Sequence, residues 1–345
     1  MVSHFILQNF NVVIVASLLT VFLVIALRRL AIKVSFMDTP TTRKIHEGKI
    51  PLTGGISIFF ATCLTSVIFY ESLPPDSMTL LACAGLSLLL GAIDDKIDLH
   101  ASTKLTLQIA IVSIFIMSTG HIVTSLGSPI GFSGSVELGM LSIPFTVLAI
   151  VGLQNTFNMV DGCDGLAASL VLVSLLALIF VAPEVLSELS RKILLVLSSS
   201  ILVFLFFNFS NSKSLKAFLG DGGSLSLGFI VAASFVEFSA SNTLYDPSLV
   251  LWFAAIPIMD FCTVIVRRTL LKRKIMDADR SHLHHLLLSL GLSHLQITVL
   301  TSLAAVALLV FGLFVTSNHP NISFWFFVVL FLVYLSIRMF TVKGE

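Results

Sequence analysis

The sequence predicts an all-α membrane protein: a polytopic bundle of about eleven transmembrane helices, N-terminus outside, with its polar chemistry on the cytosolic face. Three observations carry this. Hydrophobic residues make up 56% of the 345 and charged residues 11%, with a mean hydropathy of +1.02, where a soluble domain carries about 25% charge. Eleven apolar runs approach the roughly 20 residues a helix needs to cross a hydrocarbon core. Finally, basic residues collect in loops of one parity. Too few polar groups remain to clothe a water-facing globule. The net charge of +1 gives no reason to expect a nucleic-acid partner.

The first run, 9–30, has no basic segment before it and carries Arg28-Arg29 near its end. That order argues against a cleaved signal peptide and for an outward N-terminus. Loop 31–53 holds Arg43, Lys44 and His46 and leads into Gly54-Gly55, where run 54–70 begins. Run 78–93 ends in Asp94-Asp95-x-x-Asp98, and loop 94–103 precedes run 104–120, which opens on Lys104. The Gly/Ser-rich stretch 121–139 reads as an external hairpin. Runs 141–158 and 165–182 flank Asn155-x-x-Asn158-x-x-Asp161-Gly162-Cys163-Asp164-Gly165 around loop 159–164. Run 190–208 ends at Asn208, and loop 209–221 leads through Gly220-Asp221 into run 222–240. Run 248–268 ends at Arg267-Arg268, before loop 269–295 with Arg280, His282, His284 and His285. Runs 296–315 and 322–340 close the chain. With the N-terminus outside, eighteen of the 20 Lys and Arg are cytosolic, leaving only Arg191 and Lys192 outside. No internal repeat is visible, so 1–345 reads as one integral-membrane domain. The four cysteines, Cys63, Cys83, Cys163 and Cys262, read as small core residues rather than disulfide partners.

All five polar clusters fall on the cytosolic side, and crowded carboxylates there call for a compensating cation. Asp94 and Asp98 would share a face if their helix continues; a solvated helix end is the plain alternative. The three-residue spacing of Asn155, Asn158 and Asp161 keeps them on one flank of a helix. Phe218-Leu219-Gly220-Asp221-Gly222-Gly223-Ser224 opens a helix whose bare N–H groups attract phosphate. Asp221 beside them suits Mg²⁺, an oxygen-seeking ion usually shared with substrate phosphates; simple N-capping is the alternative. His282, His284, His285 and Arg280 fit donation to phosphate or sugar oxygens, with His282 and His285 i,i+3 neighbours if helical. Zinc is weighed against by the absence of cysteine from that loop. A transporter would place binding groups at the midplane, but only Glu237 and Asp260 lie inside apolar runs.

Taken in order, the Asp94–Asp98 motif, the Asn155–Gly165 run, Phe218–Ser224 and His282-x-His284-His285 resemble the four signature segments of the polyprenyl-phosphate N-acetylhexosamine-1-phosphate transferase family. The resemblance covers nearly the whole chain. The stretch from Asp38-Thr39-Pro40 to Gly54-Gly55 and the His-x-His-His form look most like its bacterial undecaprenyl-phosphate N-acetylglucosamine-1-phosphate transferase branch. The resemblance implies a UDP-N-acetylhexosamine donor, undecaprenyl phosphate as acceptor, and Mg²⁺, with Mn²⁺ as a substitute. It also implies surrounding membrane lipid and a place in the bacterial cytoplasmic membrane, while the sequence leaves the oligomeric state open, a homodimer among the options. By the same resemblance Asp221 and Asn158 hold the metal, and Asp94, Asp95, Asp161 and Asp164 form the catalytic group. Asp94, Asp95 and Lys104 would face the lipid phosphate, with Asp164 and Asn208 near the nucleotide. Substrate-binding positions would be Arg43, Lys44, His46, Lys104, Asn155, Asn208, Arg268, Arg280, His282, His284 and His285. Direct displacement and a covalent phospho-aspartate route both fit the sequence.

Overall fold

The computed structural model describes residues 2–39, 48–127, 135–181, 183–212, 214–240, 245–272 and 282–341. Helices α1 (Val2–Gln8), α2 (Phe10–Lys33), α3 (Gly54–Phe69), α4 (Pro75–Ile97), α5 (Ala101–Thr119), α6 (Ser142–Val160) and α7 (Leu166–Val181) form the first half. The second half holds α8 (Glu188–Asn208), α9 (Gly220–Ala240), α10 (Leu249–Phe253), α11 (Ala255–Leu270), α12 (Leu283–Ser289), α13 (His294–Asn318) and α14 (Pro320–Thr341). Each apolar run falls, among the described residues, largely on helix, but not every run is one membrane-length helix. Among the described residues eight helices are long and apolar enough to cross a membrane, namely α2, α4, α5, α6, α8, α9, α13 and α14. Helices α3 and α7 are shorter, at 16 residues or about 24 Å of rise.

The ninth run departs from a single helix because it breaks at Ala254. Pro257 has no N–H to give Phe253, the residue four before it, so that carbonyl is orphaned inside the bundle. The Ser174 hydroxyl of α7 donates to it at 2.9 Å, which makes the break tolerable in a place without water. Among the described residues the all-α expectation also meets exceptions: a two-residue antiparallel ladder of β1 (Met37–Asp38) and β2 (Ile50–Pro51), and a lone antiparallel bridge between Ser125 and Glu137. Beyond β2 the extended backbone pairs with the segment leading into α9: Phe218 N donates to Pro51 O, and Gly54 N to Phe218 O, both at 2.9 Å. The stretch read as a hairpin does return on itself, Leu126 N donating to Val136 O at 2.9 Å.

Helix α9 is the axis of the bundle. Its most apolar window is 83% buried, against 17% for α14 and 22% for α2, so it is wrapped by protein where the outer helices face lipid. Small residues permit this. A Cβ at Gly91 of α4 would lie 2.3 Å from Asp221 O, and one at Gly55 of α3 would lie 2.1 Å from Gly223 Cα. Helix backbones therefore touch, as small-residue stripes allow in membranes. Polar side chains tie the same helices: Ser226 donates to Ala84 O at 3.0 Å, and Gln154 Nε2 to Leu225 O at 3.3 Å. Close packing fixes the N-terminus of α9 between the ends of α4 and α6. Asp221, in the first turn of α9, and Asn158, in the last turn of α6, lie at that end.

Candidate active site

Helix α4 stops at Ile97 because Asp98 turns left-handed, with φ 51°, and its N–H closes on Asp94 O at 2.9 Å. The helix does not continue, so Asp94 and Asp98 do not share a helical face as the spacing alone would suggest. Asp94 instead points back into the bundle. Its carboxylate accepts from Leu99 N at 2.8 Å and from Lys104 Nζ at 2.6 Å. Lys104, in the first turn of α5, is the hub. Its ammonium also reaches Asn158 Oδ1 at 3.2 Å and Asp221 Oδ2 at 3.4 Å. Asn158 Nδ2 donates to Asp221 Oδ1 and to Ser224 Oγ, both at 2.9 Å. Four helix ends thus converge on one ammonium flanked by two carboxylates, a cluster short of positive charge.

Asp95, next in sequence, faces another way. Its two oxygens accept from the backbone N–H groups of Asp221 at 3.1 Å and Gly222 at 3.2 Å. A carboxylate at a helix N-terminus satisfies orphan donors and opposes the macrodipole, so Asp95 caps α9 from a neighbouring helix. Gly220, at φ +74°, makes room: a Cβ there would lie 2.8 Å from Asp95 Oδ2.

A second cluster surrounds Asp164 in the loop between α6 and α7. Lys216 Nζ donates to Asp164 Oδ2 at 2.6 Å, His294 Nδ1 lies 3.7 Å from the same oxygen, and Thr298 Oγ1 donates to Asp164 O at 2.7 Å. Burial alone would raise this carboxyl, but the hydrogen bonds and charges of His294 and Lys216 prevail and hold it below its ordinary value. Neighbouring Cys163 is pushed up to about 12 by burial and then by the charges of Asp164 and Asp161. It is no nucleophile at neutral pH.

The third cluster contains the histidines. His282 is the extended residue before α12, at φ −65° and ψ 156°, so the helical pairing of His282 with His285 is not made. The rings of His282 and His284 instead stack, with centroids 5.8 Å apart and planes 7° apart, and the His285 ring leans on His284 at 4.1 Å. His282 Nδ1 meets Asp260 Oδ2 at 2.8 Å. Burial, then the charges of His285 and His282, lower His284 to about 3, so its ring is neutral at pH 7. It lies against Gly162, where a Cβ would fall 2.1 Å from His284 Nε2. The histidine loop and the Asn158–Asp164 turn are therefore in contact.

The structure thus brings together Asp94, Lys104, Asn158 and Asp221, with Asp95 behind them, and joins His284 to the loop that holds Asp164. Asp161 ends α6 and is half-buried. Asn155 turns aside, into a reciprocal amide pair with Gln108 at 3.0 and 3.3 Å that ties α5 to α6. Asn208 is 3% exposed and donates to Ala217 O at 2.9 Å, anchoring the loop before α9. Arg268 is buried near the end of α11, and His285 is half-buried. Arg43, Lys44, His46 and Arg280 lie outside the described residues. The sequence reading missed Gln108, Lys216, His294, Thr298 and Tyr334, took Ser224 only as the end of its motif, and gave Asp260 no role. Only Asp260 carried a signal, as a carboxylate inside an apolar run.

Hard oxygen donors from Asp221, Asn158 and Asp94 fit Mg²⁺ by chemistry. Among the described residues no group of three His, Cys, Asp or Glu side chains could hold a metal alone. An ion here would share its coordination with substrate phosphate, the usual habit of Mg²⁺.

Comparison with known proteins converges on one family. Residues 77–239 match the family model described as glycosyl transferase family 4. The chain is 37% identical to a probable undecaprenyl-phosphate N-acetylglucosaminyl 1-phosphate transferase of Bacillus subtilis, over 81% of this chain and 77% of that protein. It is 35% identical to the undecaprenyl-phosphate alpha-N-acetylglucosaminyl 1-phosphate transferase of Escherichia coli O157:H7, over 94% and 88%. Against the protein of that name from Yersinia pestis it is 33% identical, over 92% and 86%.

Proposed function

Since the chain belongs to the polyprenyl-phosphate N-acetylhexosamine-1-phosphate transferases of glycosyl transferase family 4, a multi-pass membrane enzyme group, we propose that it moves N-acetylglucosamine-1-phosphate from UDP-N-acetylglucosamine to undecaprenyl phosphate. UMP leaves, and the product opens a surface-polysaccharide pathway at the cytosolic face of the bacterial inner membrane. The observation that carries this is Lys104 held between Asp94 and Asp221 at the ends of four helices. One cation facing two carboxylates leaves the cluster net negative, which favours a divalent cation such as Mg²⁺, and that ion would in turn neutralise the diphosphate sharing it.

In the proposed reaction an oxygen of the lipid phosphate bonds to the β-phosphorus of the donor, and the bond from that phosphorus to the α-phosphate oxygen breaks. The acceptor's second pKa is about 6, so it is largely dianionic at neutral pH and needs little help from a base. What the protein supplies is position and charge. Asp221 and Asn158 would hold Mg²⁺, which neutralises diphosphate oxygens and stabilises the departing UMP. Lys104 would draw the lipid phosphate to the end of α5, and Asp94 keeps that ammonium in place. Direct displacement is favoured over a phospho-aspartate at Asp95, because phosphorylating that carboxylate would strip the cap from α9.

The test is purified protein with undecaprenyl phosphate, Mg²⁺ and a panel of UDP-sugars, scored for UMP. Release is expected with UDP-N-acetylglucosamine and to depend on the lipid. Turnover of another donor alone would overturn the sugar assignment, and Mg²⁺-independent turnover would overturn the metal.

A further inference from the structure

Asp260 is a costly residue for its place. It sits on α11, 2% exposed, where an aliphatic side chain would pack without any desolvation cost. It accepts three hydrogen bonds: His282 Nδ1 at 2.8 Å on one oxygen, Leu283 N at 2.9 Å and Tyr334 Oη at 3.1 Å on the other. Arg338, one turn beyond Tyr334 on α14, brings a guanidinium nitrogen to 3.9 Å. An ionised carboxylate can only accept, so the His282 nitrogen facing it carries the hydrogen. That fixes the tautomer and leaves Nε2 as the ring's second nitrogen. The His282 and His284 rings lie parallel, 7° apart in plane, and the His285 ring meets His284 at 4.1 Å with the two planes 46° apart. The first two are only 4% and 3% exposed, and His285 is half-buried.

We propose that Asp260, held by Tyr334 of the last helix, is a positioning residue. It sets the tautomer and plane of His282 and, through the ring contacts of His282 with His284 and of His284 with His285, the placement of His285 against the phosphates of the donor. The donor side rests on the function proposed above. The tautomer side does not. A carboxylate behind a histidine fixes its tautomer and ring orientation; behind metal-ligating histidines its removal costs about 10- to 100-fold, and the same order is expected here.

The experiment has two arms, both on the full-length protein in detergent micelles. In the first, ¹⁵N-histidine spectra report which His282 nitrogen carries hydrogen. Wild type is expected in the Nδ1–H form, and Asp260→Asn, whose amide can donate to Nδ1, is expected to shift His282 toward Nε2–H. In the second, Asp260→Asn is expected to lower kcat/KM for UDP-N-acetylglucosamine by about 10- to 100-fold with KM for undecaprenyl phosphate unchanged. In a His282→Ala background the same substitution should cost nothing more. Tyr334→Phe, a milder change, should show the same pattern to a smaller degree, and it serves if Asp260→Asn does not fold. An unchanged tautomer, or an equal further loss in the His282→Ala background, overturns the proposal and leaves Asp260 as a brace between helices. If no UDP-sugar is turned over by wild type, the proposed function fails, and the spectra still decide whether Asp260 governs His282.

Discussion

Lys104 and Asp221 illustrate how little of the site's energetics belongs to single pairs. Three acceptors on three other helices share the Lys104 ammonium, so removing it strands two carboxylates together in a mostly buried place. Lys104→Met is therefore expected to impair stability as well as turnover, visible as a lower apparent melting temperature in detergent. Asp221→Asn is near isosteric and keeps a hydrogen-bonding partner for Asn158. It should fold normally and lose about 10²–10³-fold in kcat, the scale of one charge-stabilising group; near-normal Mg²⁺-dependent UMP release would remove Asp221 from the metal site. Protonation offers a separate check. His284 titrates at about 3 when folded, against an ordinary 6.5. Between those values the unfolded chain binds a proton that the folded chain refuses, so stability falls as pH drops through this window, by at most about 1.4 kcal/mol per unit. Asp164, held below its ordinary 3.8, adds its own loss only at lower pH. Melting temperatures from pH 7 to 4 should consequently flatten in His284→Asn relative to wild type, and parallel curves would refute the assignment.

Backbone contact, rather than side-chain interlocking, seats α9. Ala at Gly91 would drive a methyl carbon to 2.3 Å from Asp221 O, and neither backbone can retreat without moving the end of α9 that carries Asp221. Gly91→Ala is expected to cost about 3 kcal/mol or more, the upper end of overpacking, and to abolish turnover. Gly152, on α6, has open space where a Cβ would stand, with nothing within 4 Å, so Gly152→Ala should be neutral or stabilising by up to about 1 kcal/mol. Comparable melting temperatures for the two variants would contradict the close-packed picture. This difference also marks what could be foreseen. Apolar length locates the long helices, because burial in lipid or protein demands it, but not the short α1 and α12, which fall outside every apolar run. Clustered Asp, Asn and Gly mark the ends of α4, α6 and α9, because such residues are too costly elsewhere in a membrane. The partners were hidden. Lys216, His294 and Tyr334 are ordinary polar residues by spacing, and only the packing of distant helices brings them to Asp164 and Asp260. Asp95 carried the opposite risk. Its motif reads as chemistry, and the fold engages both its oxygens in capping another helix. The break at Ala254 was legible in Pro257, but a proline kink and a proline break look alike until the orphaned carbonyl finds its donor.

Consecutive helices that cross the bilayer run in alternate directions, so residues far apart in sequence meet only if their loops share a side. Ion pairs and hydrogen bonds join the end of α4 to the start of α5, the end of α6 and the start of α9. Others join the loop after α6 to the start of α13, and α11 to the start of α12 and the far end of α14. These contacts place all three clusters at one end of the bundle, whichever membrane face that end occupies. The distribution of Lys and Arg argues that it is the cytosolic face. In a cysteine-free background, single cysteines at Ser102 and Ser212, both exposed on this end, should be modified by a membrane-impermeant maleimide only in inside-out vesicles. A cysteine at exposed Glu71, between α3 and α4, should show the reverse. Labelling of Ser102 and Ser212 from opposite sides would break the shared pocket outright. Labelling of both from outside would keep the pocket and invert the molecule, putting it out of reach of a cytosolic nucleotide sugar. The expected pattern instead gives both substrates access: the nucleotide sugar from water, the lipid phosphate along the membrane surface. Because one diphosphate bond replaces another, such a pocket should also run backwards. Excess UMP with the labelled lipid product should regenerate UDP-sugar, and a reaction that stays irreversible at high UMP would mean that some further step drives it.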